Sequence, residues 1–539
     1  MRSILGWAAL GLACAIAGLP GRVDAKTLSG VVFDDRNGDG RRQSGEPGVP
    51  GVALSDGRAL VVTDAAGRYR IDPAQGSTVF AIKPADWRLP GDDPARPGAW
   101  RHVPSNAPIA PKYGGIRASS WSPAFDIGLR RAPAAAGPLS VRVFADPQPK
   151  SRVDVDYYGR DIVDSVLAEP AAAPDARLPP PQLGASLGDI VNDDLSLYPA
   201  MNAQTRRIGV PWLHVPGNHD LDLDVARDED ALLGFRNVYG PDTFAWEEPQ
   251  ATFIGLDDVI YRPGQSPAYI GGFRDDQFAF LEAYLPRVSK DRLLVLMMHI
   301  PLFETDGRDT FRDADRARLF ALLQAFPHVL VLSGHMHTQQ HWRHDASTGW
   351  HGAAPLHEYN VGAACGAFWS GVKDAAGIPD TTMADGTPNG YASLVIGPDA
   401  RYALRWHVAR AAGDPTMAVH APAVLRRGAY PAWGVYANVW MGQRDDRVEF
   451  RVDDGDWTPM RRVDAADPDM LAENRRDDEA RALRGYDRSP EATPSAHLWR
   501  GALPTDLGVG THRVEVRASD AWRGELRAGT TYRLEDAAP

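Results

Sequence analysis

Five short polar clusters in this 539-residue chain each stand just after an apolar, strand-like run. Asp146-Pro-Gln148 follows 139–145, Gly188-Asp189 follows 183–187, and Gly217-Asn218-His219-Asp220 follows 212–215. His299 follows 293–298, and Gly334-His335-Met-His337 follows 329–332. In α/β sheets, ligands gather in the loops outside the carboxyl ends of strands, so five such loops can converge on one point. Imidazoles, carboxylates and amide oxygens together suit Mn, Fe, Zn, Co or Ni, and with only two cysteines in the sequence a thiolate-rich centre is excluded. Two ions held about 3.5–4 Å apart need a shared anionic ligand to offset their repulsion, which a single aspartate can supply. Gly188, Gly217 and Gly334 beside these residues permit tight turns and close backbone approach.

Taken singly, each cluster has a plainer explanation. Asp146 or Asp189 alone is more often a turn or helix-cap residue. His299 on an apolar run is by default a core histidine, and Gly-Asn-His-Asp reads as an Asn-containing turn. His335 and His337 are stronger, because alternate residues at a strand end point the same way. Five clusters in this order, all behind strands, make coincidence implausible.

The elements that must position them form an α/β pattern. Between the clusters, apolar residues recur three and four apart over 157–168, 274–285 and 313–326, which predicts helices. The proline-rich run 170–181 reads as a surface loop. On either side the texture changes to short alternating runs cut by Gly, Pro and Asp, predicting an N-terminal β-sandwich over 26–131 and a C-terminal one over 421–539, around a central domain over 139–410. The stretch 131–138 has linker character. Length agrees, since about 100–200 residues per domain gives three or four domains.

The ordered set Asp146-x-Gln148, Gly188-Asp189, Gly217-Asn218-His219-Asp220, His299 and Gly334-His335-x-His337 resembles the calcineurin-like metallophosphoesterase superfamily. The resemblance covers about half of the chain and implies an α/β four-layer sandwich, two mixed β-sheets flanked by helices. It implies that Asp146, Gln148, Asp189 and His337 hold one divalent ion, and that Asp189 as bridge, Asn218, His299 and His335 hold the other. The implied reaction is hydrolysis of phosphate esters by a metal-bound hydroxide, with His219 as the acid that protonates the leaving group. One departure stands out: the usual first motif is Asp-x-His, and here Gln148 offers a harder, neutral carbonyl oxygen. Asp-Pro-Gln nevertheless resembles a known branch of the superfamily. The two sandwiches resemble modules appended to a bacterial exported subset. Two other readings remain open: pyrophosphate cleavage in a nucleotide or lipid-linked substrate, and a non-catalytic glycan-binding surface protein.

Asp35, Asn37, Asp39, Gly40 and Glu46 match the twelve-position calcium loop, and calcium is favoured there over a bare turn cluster. Trp433, Trp440, Trp457, Trp499 and Trp522 are read as core in preference to a sugar-stacking platform. The apolar stretch 4–19 followed by Val23-Asp24-Ala25 reads as a signal peptide over 1–25, so the protein is expected to be exported, periplasmic or extracellular, with no membrane span after cleavage. The formal charge of −12, about −13 after cleavage, discourages binding to nucleic acid. A small, lipid-linked or protein-linked phosphoester is the expected partner. Tyr359, Asn360, Trp369 and the loop 222–230 are candidates to shape the pocket.

Overall fold

The computed structural model describes residues 27–537 apart from 90–92, 107–108, 118–120, 133–136, 173–177, 305–309 and 486. The expected signal segment 1–25 lies outside the described residues, as does the middle of the linker. None of the described helices is long and apolar enough to cross a membrane.

Two mixed sheets form the centre. In the first, Leu139–Phe144 lies between Leu183–Leu187, which is parallel to it, and Gly390–Ile396, which is antiparallel, with Trp212–Val215 and Tyr402–Val408 at the edges. In the second, Ala251–Gly255, Leu293–Met297, Val329–Ser333 and Leu356–Asn360 run parallel in that order, and Phe244–Glu247 and Gln340–His344 close the edges antiparallel. Strands covered on both faces read as near-continuous apolar runs, which is why Leu293–Met297 and Leu183–Leu187 are buried at every position. Two polar residues sit inside Leu139–Phe144, Ser140 and Arg142. Arg142 is fully buried and bonds Glu169 and Ser140, so the strand carries a paired charge through the core.

Helices fall where the spacing predicts them, at Asp275–Tyr284 and Asp313–Leu323. The segment predicted over 157–168 begins earlier, at Arg152, behind the Ser151 cap that accepts from the Asp154 N–H. It passes through a π-turn at Gly159–Val163 and ends at Ala172. The proline-rich loop therefore starts later than the sequence suggests, with Pro170 still inside the helix.

The flanking regions are pairs of facing sheets. Before the centre, two four-stranded sheets enclose Leu28, Val32, Leu54, Val79, Ile127 and Leu129. After it, a four-stranded and a five-stranded sheet enclose Val435, Phe450, Trp499, Val516 and Leu534. The first C-terminal strand is Met417–His420, just ahead of the sequence-based boundary. Both flanking units pack on the centre. Phe80 and Ile82 from one and Trp440 and Met441 from the other join the central core.

Candidate metal centre

The strands of the two central sheets deliver the polar clusters to one place. Asp189 and His299 each stand two residues beyond the last residue of their strand, as does Asp146, while Asn218 stands three beyond Trp212–Val215. His299 Nε2 lies 3.4 Å from an Asp189 carboxylate oxygen, 3.0 Å from Asn218 Oδ1 and 3.2 Å from His335 Nδ1. One ligand atom each from Asp189, His299 and His335 fall within 4.8 Å of one another, the only such His/Cys/Asp/Glu group among the described residues. On the adjoining side, His337 Nε2 faces Asp146 at 3.5 Å. Gln148 is buried there, with its Oε1 3.9 Å from Cys365 Sγ and its N–H donating to the Asp189 carbonyl. The structure thus assembles all seven residues as two adjoining groups.

The far nitrogens are already engaged. His299 Nδ1 contacts the Leu187 carbonyl at 2.8 Å, and His337 Nδ1 contacts the Gly366 carbonyl at 3.0 Å. Donation of the Nδ1 proton to a backbone carbonyl leaves Nε2 as the free lone pair in each ring, the arrangement metal-ligating histidines use. The donor set therefore fits divalent ions of the borderline class.

His335 and His337 depart from expectation. They do not share a strand face, because the strand stops at Ser333 and both take left-handed backbone conformations, φ 74° and 49°. His335 turns to the Asp189 group and His337 to the Asp146 group. Asp146, Gln148 and Asp189 are left-handed as well, φ 48°, 41° and 49°. Non-glycine residues held there are uncommon and cluster at functional sites. Of the three glycines expected to make turns, only Gly188 has a positive φ. The common reason is contact: a Cβ on Gly188 would meet His299 Nδ1 at 2.5 Å, on Gly217 the Asp189 N and Oδ1 at 2.3 Å, and on Gly334 an Asp146 oxygen at 2.7 Å.

The charges are strongly perturbed. Burial opposes a charged His299, yet the Asp189 carboxylate outweighs it and carries the imidazole up to about 10. Asp189 in turn is held below the usual carboxylate range despite its burial, chiefly by His299. Burial, followed by the neighbouring His299, pushes His335 down to about 3. His337 rises because Cys365 and Asp146 more than offset its burial. Buried carboxylates thus favour positive charge on His299 and His337, while His335 beside His299 stays neutral.

His219 stands apart from these groups. Its N–H donates to an Asp189 carboxylate oxygen, and its ring Nδ1 lies 2.8 Å from Asp193 Oδ1 with the side chain partly open to solvent. Burial lowers its pKa, but the hydrogen bond and charge of Asp193 with the charge of Asp189 raise it overall. Asp220, next to it in the sequence, is buried and bonded elsewhere. It accepts from the Gly217 and Ile190 N–H groups and Tyr198 OH, and burial with the charge of Asp189 pushes it up to about 7.

Sequence reasoning did not single out Asp193, Asp258, Cys365 or Phe368. Asp258 accepts the His299 N–H, Cys365 touches Gln148 and His337, and the half-exposed Phe368 ring lies 4.5 Å from that of His337. Among the pocket candidates, Trp369 is buried and donates to the Pro147 carbonyl, fixing the first loop. Tyr359 is buried and donates to Gln339, and Asn360 donates to the Thr338 carbonyl, so both shape the wall from within. The loop 222–230 turns elsewhere, with Asp222 buried against the Gly234 N–H and Asp224 accepting from Lys112. Trp440 and Trp499 are core, whereas Trp433 is exposed, so the tryptophans form no single platform. In the candidate calcium loop, Asp35 accepts from Gly38 and Gly40 and Glu46 from Arg36 and Gln43, all backbone N–H groups. Asn37 and Asp39 likewise accept from Asp39 and Arg41.

Three family models match in chain order. They are the N terminal of calcineurin-like phosphoesterase over 36–110, calcineurin-like phosphoesterase over 174–339, and the C terminal of calcineurin-like phosphoesterase over 358–525. The middle match spans Asp189, Asn218, His219, His299, His335 and His337 and begins after Asp146 and Gln148. No curated protein sequence matches significantly. Similar solved structures include a purple acid phosphatase from yellow lupin (Lupinus luteus) seeds, 11% identical, covering 68% of each chain at a TM-score of 0.37. PhoD is 13% identical, covering 77% of this chain and 90% of its own at 0.36. GAP50, the inner-membrane-complex anchor of Plasmodium, is 12% identical, covering 52% and 87% at 0.29.

Proposed function

The chain belongs to the calcineurin-like phosphoesterases and is a phosphoester hydrolase, and from that premise we propose that it works through two divalent ions held by Asp146, Gln148, Asp189, Asn218, His299, His335 and His337. The observation that carries this is the pair of adjoining donor groups, Asp189 with Asn218, His299 and His335, and Asp146 with His337 beside Gln148. Such ions, when bound, neutralise charge on the phosphate and activate water near neutral pH. The residues of the chain do the rest. Asp189 lies against His299 with its carboxylate and accepts the Gln148 N–H at its carbonyl, so it stands between the two groups and suits a shared ligand. Water oxygen bonds to phosphorus, the bond to the alcohol oxygen breaks, and the departing oxygen takes a proton. His219 is proposed as its donor, because Asp193 orients the ring while keeping it outside the ligand groups. Export and a lipid-linked or protein-linked substrate remain part of the same proposal.

The test is phosphate release from 4-nitrophenyl phosphate and from an alkyl ester, by protein stripped with chelator and reloaded with single metals. Two ions per chain and loss of turnover on stripping are expected; full turnover in rigorously metal-free protein would refute the proposal. His219→Ala is expected to keep both ions and lose on the order of 10²- to 10⁴-fold on the alkyl ester, with a much smaller loss on the nitrophenyl ester. Equal losses on both esters would remove His219 as the proton donor.

A further inference from the structure

His335 and Met336 form one end of a cleft of about 1320 Å³ whose opposite wall belongs to the C-terminal sandwich, at Arg462–Asp464 and Thr493–Ala496. Arg461–Arg462 is the edge strand of the four-stranded C-terminal sheet, so this sheet edge lines the same cleft as His335. The wall is fixed in place. Asn438 donates to the Asp385 carbonyl, Thr493 N–H to the Ala384 carbonyl, and His497 Nε2 lies 3.2 Å from the Asp385 carboxylate. Arg462 is held at the rim by its bond to the Ala496 carbonyl.

The lining defines what fits. Ser266, Thr338, Gln340 and Thr493 present hydroxyls and amides, and the Tyr269 ring stands 6.0 Å from that of His335. The lining is mixed, with Pro267, Met336, Val463 and Pro494 standing among these polar groups. Beyond His335, the charged lining among the described residues is Glu304, Asp464 and the buried, His497-paired Asp385 on the acidic side and Arg462 on the basic side. An acidic cleft disfavours a polyanion, so nucleoside polyphosphates and nucleic acids are poorly matched. Hydroxyls, amides and carboxylates around an aromatic ring match a neutral polyhydroxylated group. The volume exceeds the about 300–1,000 Å³ common for small-molecule sites, leaving room for more than one such unit.

We propose that this cleft binds the alcohol part of the substrate and that this part is a sugar or polyol, with the C-terminal sandwich setting that preference. The inference rests on the phosphoesterase reading above. The test compares kcat/KM for glucose 1-phosphate and AMP, each relative to 4-nitrophenyl phosphate, in the metal-loaded full chain and in Asp464→Lys. Asp464 is exposed, and a melting curve checks that the variant is folded. The expected result is a preference of about tenfold or more for glucose 1-phosphate that shrinks in the variant, because KM for the sugar ester rises more than KM for AMP. AMP turned over as well as or better than glucose 1-phosphate overturns the inference while leaving the function standing, and so does a folded variant whose preference is unchanged. No turnover of 4-nitrophenyl phosphate with any metal overturns the function and this inference together.

Discussion

Gly217→Ala separates packing around the metal centre from backbone strain. Gly217 has an extended backbone, φ −121°, so alanine is conformationally acceptable there. Its added Cβ would lie 2.3 Å from both the Asp189 N and its carboxylate oxygen, and 2.9 Å from His299 Cε1. Ordinary heavy-atom contacts need about 3.5 Å, so Asp189 must retreat by about 1 Å. Overpacking a core by one methyl costs about 1–3 kcal/mol, which a folded protein of this size tolerates. A displacement of about 1 Å in a group that positions the reaction costs on the order of 10²-fold in rate. The variant is therefore expected to stay folded, to hold fewer than two ions per chain after dialysis, and to lose on the order of 10²-fold in kcat/KM for 4-nitrophenyl phosphate. Metal content by elemental analysis, a melting curve and steady-state kinetics measure these independently. Full metal content with activity within about threefold of the parent would refute the placement of Asp189 between Gly217 and His299.

Three further outcomes follow from the same geometry. Asp189→Asn is expected to lose at least one ion and nearly all turnover, since a neutral amide cannot offset the repulsion of two cations; two tightly retained ions would remove the shared-ligand role. Gln148→Leu is expected to weaken one ion selectively while Gln148→His binds and shifts metal preference, and unchanged stoichiometry and preference in both would make Gln148 a spectator. Arg142→Ala leaves the largely buried Glu169 carboxylate without its ion pair and is expected to destabilise by about 3–5 kcal/mol, read as a fall in the unfolding temperature. A fall smaller than a degree would show that Glu169 is well solvated in the variant.

The metal centre was legible in the sequence because each of its parts carries a local signal. An apolar run, a glycine and a polar residue at Leu183–Leu187, Gly188 and Asp189 announce a buried strand that stops abruptly, and the same holds at Gly334 and His335. What was not legible depends on contacts between distant segments. Cys365 is 217 residues from Gln148 and comes close because its segment bonds directly to the first motif, Ala364 N–H to the Ala145 carbonyl and Cys365 N–H to the Asp146 carbonyl. Asp193 has no pattern of its own; its left-handed backbone, φ 62°, and its bond to the His219 carbonyl turn it toward the imidazole. The glycine at 159 has an equally remote cause, since a side chain there would strike Gln204 on the neighbouring helix.

The error over His335 and His337 shows how the two donor groups come to be built from adjacent loops. Had the strand continued past Ser333, both imidazoles would point into one group and the Asp146 side would lack nitrogen. Two left-handed residues in three cost of order 1–2 kcal/mol each, and the chain accepts them because the surroundings fix each one. The His335 N–H donates to the Asp146 carboxylate, and the His337 ring is held by the Gly366 carbonyl beneath Phe368. Asp146 thus faces His337 with one oxygen while bonding the backbone of His335, and Asp189 faces His299 while bonding the backbone of His219. Each carboxylate ties the loop bearing the next functional residue to its own donor group. A perturbation at Asp146 should therefore reach both groups, whereas one at the Gln148 side chain reaches a single group.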